Sequence, residues 1–247
     1  MPGDVLRIPK LVVRKGLQRL AGGFNHSLAQ WYERASNRGT MRRAFLDVYG
    51  AITDNKRRGG LWHDANDQWF CGDQALFARF VEHVRPRANM EIGSGPFGHL
   101  VPCYWMKRRI VIDPLVDEYR SYQMRRFGKT LWTPEIEIYA QPAEQVRPDL
   151  AGKIDGCIVS RNALDHMADP LAALQAMAEY AAAGCYLLLW TDIWHHDGGD
   201  VGHRNITQSK PAFEALLIGL GFDVLKMGAA LRESQDFVEY GCIAVKR

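Results

Sequence analysis

"NMEIGSGPFGHL", Asn89 to Leu100, decides the fold of this 247-residue chain. A short strand, "NMEI", runs into three glycines spaced G-x-G-x-x-G at Gly93, Gly95 and Gly98. Glycines directly after a buried strand permit a tight turn and let backbone N–H groups approach a ligand closely. The same spacing predicts a helix beyond Gly98, whose N-terminus would add a positive dipole end. "RRIVIDP" follows at Arg109 to Pro114, a second strand ending on Asp113. A carboxylate at that place accepts hydrogen bonds from a ribose diol. Strand, glycine turn, strand and acid together point to a nucleotide-like cofactor on an α/β sheet.

The pattern continues outward from there. "EIEIYA" (Glu135 to Ala140), "KIDGCIVS" (Lys153 to Ser160) and "CYLLLW" (Cys185 to Trp190) read as further strands. The last is apolar enough to be buried on both faces. Before the glycine loop, Asp73 caps an amphipathic helix with Leu76, Phe77, Phe80, Val81 and Val84 on one face, ended by Pro86. After the fourth strand, Asp169 and Pro170 open a helix that Gly184 is expected to close. "PAFEALLIGLGF" is a helix ending near Gly221; "FDVLKM" and "EYGCIAVK" are two final strands, placed to form a terminal hairpin. Repeated βα units predict a mostly parallel sheet with helices on both faces.

Charge is unevenly spread. Residues 1–60 carry 12 Lys/Arg and 4 Asp/Glu, a net of +8, and the remainder carries 19 and 24, a net of −5. The basic character thus belongs to the N-terminal quarter. Residues 5–24 have a helical apolar stripe, Val13, Leu17, Leu20 and Phe24, ringed by Arg7, Lys10, Arg14, Lys15 and Arg19. Two readings stand: a helix touching an anionic membrane or acidic partner, or one covering an edge of the domain with a solvated basic face. "ITDNKRRGGLW", Ile52 to Trp62, reads as a loop. Five scattered cysteines without C-x-x-C argue for a reduced, cytoplasmic setting without a disulfide framework or structural zinc. The N-terminus lacks the apolar core of a secretory signal, and no run is long enough for a transmembrane helix.

NAD and S-adenosylmethionine (SAM) both carry adenine and ribose, and three features separate them. Glu91, two residues ahead of Gly93, suits a cationic ligand and opposes a pyrophosphate. Only 134 residues follow Asp113, too few for a separate dehydrogenase-type substrate domain, and no Tyr-x-x-x-Lys pair is present. The end of the chain also fits a hairpin that inserts one antiparallel strand. At this point "MEIGSGPFG" resembles the first motif of class I SAM-dependent methyltransferases. "VIDP" is similar to their second-strand acid, "QPAEQV" to their segment after strand three, and "DGCIVSRNALDHMADPLAAL" to the region around strand four. "GHRNIT" with "ALLIGLGFDV" resembles the region before strand six.

The resemblance spans roughly residues 70–247. It implies a Rossmann-like seven-stranded sheet of order 3-2-1-4-5-7-6, with residues 1–70 as an N-terminal helical extension or lid to a methyltransferase domain at 71–247. It further implies that Glu91, Gly93, Ser94, Gly95 and Gly98 hold the methionine end of SAM, and that Asp113 and Pro114 meet the ribose. Ala143 and Glu144, with Gln141 nearby, would border adenine. Arg161, Asn162 and His166 would lie near the sulfonium. Phe97 departs from the family pattern and would crowd the methionine pocket; Asp165 stands where Glu is common.

Methyl transfer mainly requires alignment of donor and acceptor, with a base only for a poorly nucleophilic acceptor. "TDIWHHDGGDVGH", Thr191 to His203, leaves the carboxyl end of strand five, where ligand sites of open α/β sheets lie. His203 and His196 are therefore the candidate catalytic residues. A metal set of His195, Asp197 and His203 is the weaker reading, because Ser160-Arg161-Asn162 replaces a carboxylate expected after strand four; no metal is expected. Trp62, Trp69, Phe70, Trp105, Trp132, Trp190 and Trp194 either pack the core or wall a pocket for a ring or sugar. The expected substrate is a small molecule or glycan. A nucleic-acid acceptor, bound through the basic N-terminal arm, is the alternative, opposed by the lack of an Asn/Asp-Pro-Pro-Tyr/Phe tetrapeptide. A SAM-binding protein without transfer activity is the other.

Overall fold

The computed structural model describes residues 69–70, 72–194, 203–207, 209–227 and 237–247. The helix expected at residues 5–24, the loop at 52–62, His195 and His196 lie outside these residues. Among the described residues, seven strands form one sheet: β1 (Ala88–Ile92), β2 (Arg108–Ile112), β3 (Ile136–Tyr139), β4 (Cys157–Arg161), β5 (Tyr186–Trp194), β6 (Phe222–Met227) and β7 (Phe237–Lys246). Their order is β3-β2-β1-β4-β5-β7-β6, as the resemblance implies. β7 runs antiparallel between β5 and β6, and the other neighbours pair in parallel.

Register decides which side chains share a face, because successive residues of a strand point to opposite sides. Met90 pairs with Ile110 and Ile158, whereas Glu91 pairs with Val111 and Val159. On the first face, Met90, Ile110, Ile158, Leu187 and Leu189 pack with helices α3 (Pro170–Tyr180) and α4 (Lys210–Gly219). On the second, Val159 and Leu188 pack with α1 (Gln74–Val84), and Val111 with the start of α2 (Val116–Phe127). Helices therefore cover both faces.

Local chemistry explains most element ends. The Asp73 carboxylate accepts from the Leu76 N–H at 2.9 Å, capping α1. Asp169 does the same for α3 through the Ala172 N–H, with Pro170 at the first turn. Two expectations fail. α3 ends at Tyr180, not at Gly184, because residue 181 leaves the helix to bridge Ile154 and the Ala182 N–H donates to the Ile154 carbonyl. The helix expected beyond Gly98 is a series of turns instead. Pro96 and Pro102 interrupt that stretch and remove N–H donors, and Gly98 sits at φ 61°, outside helical backbone.

Trp69 and Phe70, at the edge of the expected N-terminal extension, are buried. The Trp69 indole N–H donates to the Leu189 carbonyl at 2.9 Å, and its ring meets His99 and Trp190 edge-on. Trp69, Trp132 and Trp190 are thus packing residues; Trp62 lies outside the described residues. No described helix is long and apolar enough to cross a membrane.

Candidate functional site

The carboxyl ends of β1, β2 and β4 meet where the strand order reverses, the place where open α/β sheets bind ligands. A cavity of about 150 Å³ lies there. Gly93 and Gly95 form its floor, and Ile112, Asp113, Pro114, Leu115 and Tyr119 one wall. Pro142, Ala143 and Glu144, from the segment after β3, and Asn162, Ala163, His166 and Met167, from the segment after β4, complete it.

Backbone conformation favours glycine at both floor positions, and at Gly93 space requires it as well. Gly93 has φ 71°, and a Cβ there would stand 2.4 Å from the Ala163 Cβ. Gly95 has φ 59° and open space where a side chain would be, so its backbone borders the cavity directly. Asp113 ties this loop down. One carboxylate oxygen accepts from the Gly95 N–H at 2.8 Å and the Ser94 hydroxyl at 3.3 Å; the other accepts from the Leu115 N–H at 2.8 Å.

Glu91 lies beneath the loop, 1% exposed. Its two oxygens accept from the N–H groups of His99 and Leu100, at 2.7 and 2.9 Å. It therefore organises the chain that would otherwise leave these donors orphaned. Burial pushes its carboxyl up to about 7, the two backbone N–H groups oppose this, and the Asp113 charge adds to it. His99 is held neutral: burial lowers its imidazole to about 3, with the Arg161 charge contributing.

Eight of the residues expected at a cofactor site line the cavity together: Gly93, Gly95, Asp113, Pro114, Ala143, Glu144, Asn162 and His166. Glu91, Ser94, Gly98 and Arg161 do not line it. Ser94 hydrogen-bonds Asp113, and Gly98 lets Trp132 and Val101 approach the turn. Arg161 acts on His99. Phe97 also stays out of the cavity and packs with Leu115 and Tyr119. Glu144 accepts from the Asp169 N–H at 3.1 Å, which joins the β3 segment to the start of α3. Asn162 is the one non-glycine residue with positive φ (50°) among the described residues, and it sits at the cavity rim. Such backbone gathers at ligand sites.

The catalytic candidate His203 stands beside this cavity. Its Nε2 lies 3.7 Å from the Asp165 carboxylate, and its ring lies 4.2 Å from that of His166. Asp165 is fully buried on the short 3-10 turn Leu164–His166 and accepts from the Thr191 hydroxyl at 3.3 Å. The Arg204 N–H donates to the Asp165 carbonyl, which pins the chain carrying His203 onto the turn. Asp165 and Thr191 both fall in stretches the sequence marks out, but nothing in the sequence pairs either of them with His203; that pairing needs the fold. The cysteines Cys103, Cys157, Cys185 and Cys242 are buried, and burial raises each thiol, so none of the four offers a thiolate.

No family model and no curated protein matches the chain at the sequence level. Solved structures do resemble it. The trans-methyltransferase CalH, complexed with SAH, superposes with a TM-score of 0.51 at 15% identity over 70% of this chain; this chain spans 55% of CalH. The [4+2]-cyclase SpnF gives 0.54 at 14% identity, covering 91% of this chain and 96% of its own. A protein proposed to be a sarcosine dimethylglycine methyltransferase, from Galdieria sulphuraria, gives 0.51 at 14% identity, covering 70% and 82%. At such identities the likeness is one of fold.

Proposed function

We propose, for a chain that has the fold of class I SAM-dependent methyltransferases, that the cavity binds SAM and that the protein methylates an oxygen or nitrogen of a small-molecule or glycan acceptor. One observation carries the reading. Among the described residues, the cavity walls hold two carboxylates, Asp113 and Glu144, and no lysine or arginine. That lining offers a pyrophosphate no cation among the described residues, and its carboxylates attract a ligand bearing a sulfonium and an ammonium group. The rest of the donor set fits as well. Ile112, Leu115, Pro142, Ala143 and Met167 offer apolar surface for a purine, and the open side of Gly95 lets backbone meet ligand. Asp113 would accept ribose hydroxyls in place of its long contact with Ser94.

SAM supplies an electrophilic methyl group when bound. The chain's own contribution is to orient the acceptor and, for a hydroxyl, to take its proton. We assign that proton to His203, with Asp165 facing its Nε2. His196 is the second candidate. Residues 1–70, which contain the basic first quarter, serve as an extension to the domain at 71–247.

The SpnF likeness favours keeping one alternative, because a fold shared with a protein named as a cyclase does not by itself imply methyl transfer. The experiment is therefore twofold. SAH binding is measured by calorimetry, and SAH formation from SAM is followed by mass spectrometry against a panel of hydroxylated and amino small molecules and glycans. Binding with acceptor-dependent SAH formation supports the proposal. Binding with no turnover on any acceptor class favours a SAM-binding protein of other activity, and no binding removes both.

A further inference from the structure

We infer that Asp165, His166 and His203 form a binding site for one divalent transition-metal ion at the rim of the cavity. One ligating atom of each lies within 4.8 Å of the other two. Asp165 is fully buried, and its Oδ2 accepts no hydrogen bond among the described residues. Leaving a buried carboxylate oxygen in that condition is costly unless a cation completes it. His203 Nε2, which faces that oxygen, stands 3.7 Å away, beyond hydrogen-bond length. An ion about 2.1 Å from these two atoms would subtend an angle of about 120° across that gap, close to a tetrahedral site's needs.

The surroundings support the same reading. Asp165 and His166 are adjacent on one rigid turn, and the Arg204 N–H fixes His203 against it from another segment. Thr191, on β5, donates its hydroxyl to the other Asp165 oxygen, as outer partners do for ligating carboxylates. Two imidazoles and one carboxylate suit zinc, cobalt, iron or manganese better than magnesium or calcium, which prefer all-oxygen shells. His166 lines the cavity, so an ion here would keep a coordination position facing the ligand space. An oxygen-bearing acceptor is the chemical class it would take there.

With an ion held by His203, the ion would lower the pKa of an acceptor hydroxyl; without it, His203 takes the proton itself, so H203A removes the proton-transfer step in either state. The site does not depend on which reaction the cavity runs, and its test uses the full chain without SAM or acceptor. The apoprotein, prepared by dialysis against chelator, is titrated with Co(II) and followed by visible absorption; Zn(II) competition gives the affinity. One equivalent is expected, with d–d bands of nitrogen and oxygen ligation. D165N and H203Q are expected to weaken binding by about 100-fold or more, and T191V by about 10-fold at unchanged stoichiometry. H83Q, at a histidine on α1 far from the cluster in sequence, is expected to bind as the wild type. Far-UV circular dichroism shows whether each variant is folded, and H166Q provides a second ligand variant. Undiminished binding in the folded ligand variants, or no saturable binding in the wild type, overturns the inference.

Discussion

Replacing Glu91 by Gln separates what this side chain does by hydrogen bonding from what its charge costs. The carboxyl is buried at 1% exposure, and burial pushes it up to about 7 from an ordinary 4.5. A folded-state pKa above the unfolded one means that the folded chain holds the proton more tightly. The resulting stability is full below about 4.5 and is lost as the pH rises through about 7. At about 1.4 kcal/mol per unit, the loss between about pH 5 and about pH 8 comes to about 2–3 kcal/mol. E91Q cannot titrate and lacks this slope. Its amide offers one acceptor oxygen where the carboxylate offers two, so one of the His99 and Leu100 N–H groups loses its partner. That adds an offset of about 1–3 kcal/mol that does not vary with pH. Urea unfolding of both proteins at the two pH values isolates the effect, because every other titrating group cancels in the difference. The stability gap between wild type and E91Q should shift by about 2–3 kcal/mol in favour of the variant on going to the higher pH. A gap that stays constant refutes the reasoning.

The remaining predictions concern the loop, the core and the acceptor side. G93A should destabilise well beyond the cost at G95A, because its Cβ meets the Ala163 Cβ at 2.4 Å while that of Gly95 meets nothing. G95A should cost about 1–2 kcal/mol from backbone strain alone, and equal losses in urea unfolding would count against the Ala163 clash. N89A should cost about 2–4 kcal/mol: this buried amide donates to the Val84 and Arg87 carbonyls and accepts from the Cys157 N–H, joining α1, β1 and β4. A loss under about 1 kcal/mol would show that the network carries little. H203A should lower kcat by about 100-fold or more on a hydroxyl acceptor, with SAH affinity changed less than about threefold; a parallel loss in SAH affinity would place His203 in cofactor binding instead.

Much of the sheet is legible because its strands are apolar runs bounded by glycine, proline and acids. "CYLLLW" and "RIVI" need no tertiary information to be read. α2 is not legible. Along "VDEYRSYQMRRF" the buried residues are Val116, Tyr119 and Gln123, too few apolar positions to reveal the helical period. The turns after Gly98 read as a helix only when the glycine spacing is allowed to outweigh Pro96 and Pro102. In the site, Asp113 and Ala143 are found from their places after strand ends, a property of chain order. For Glu91 the sequence gives the right location but a different contact, since only the folded turn brings the His99 and Leu100 N–H groups to it. The Asp165–His203 pairing joins residues 38 positions apart through a backbone hydrogen bond from Arg204, and no spacing rule anticipates it.

Calorimetric titration of SAH and, separately, NADH into the wild type and D113A asks whether the cavity at the ends of β1, β2 and β4 is a SAM site. One saturable SAH site is expected in the wild type, weakened about 10-fold to 100-fold in D113A by the loss of charge-assisted hydrogen bonds, with no NADH binding. SAH affinity unchanged in a folded D113A, or NADH binding in place of SAH, would contradict it.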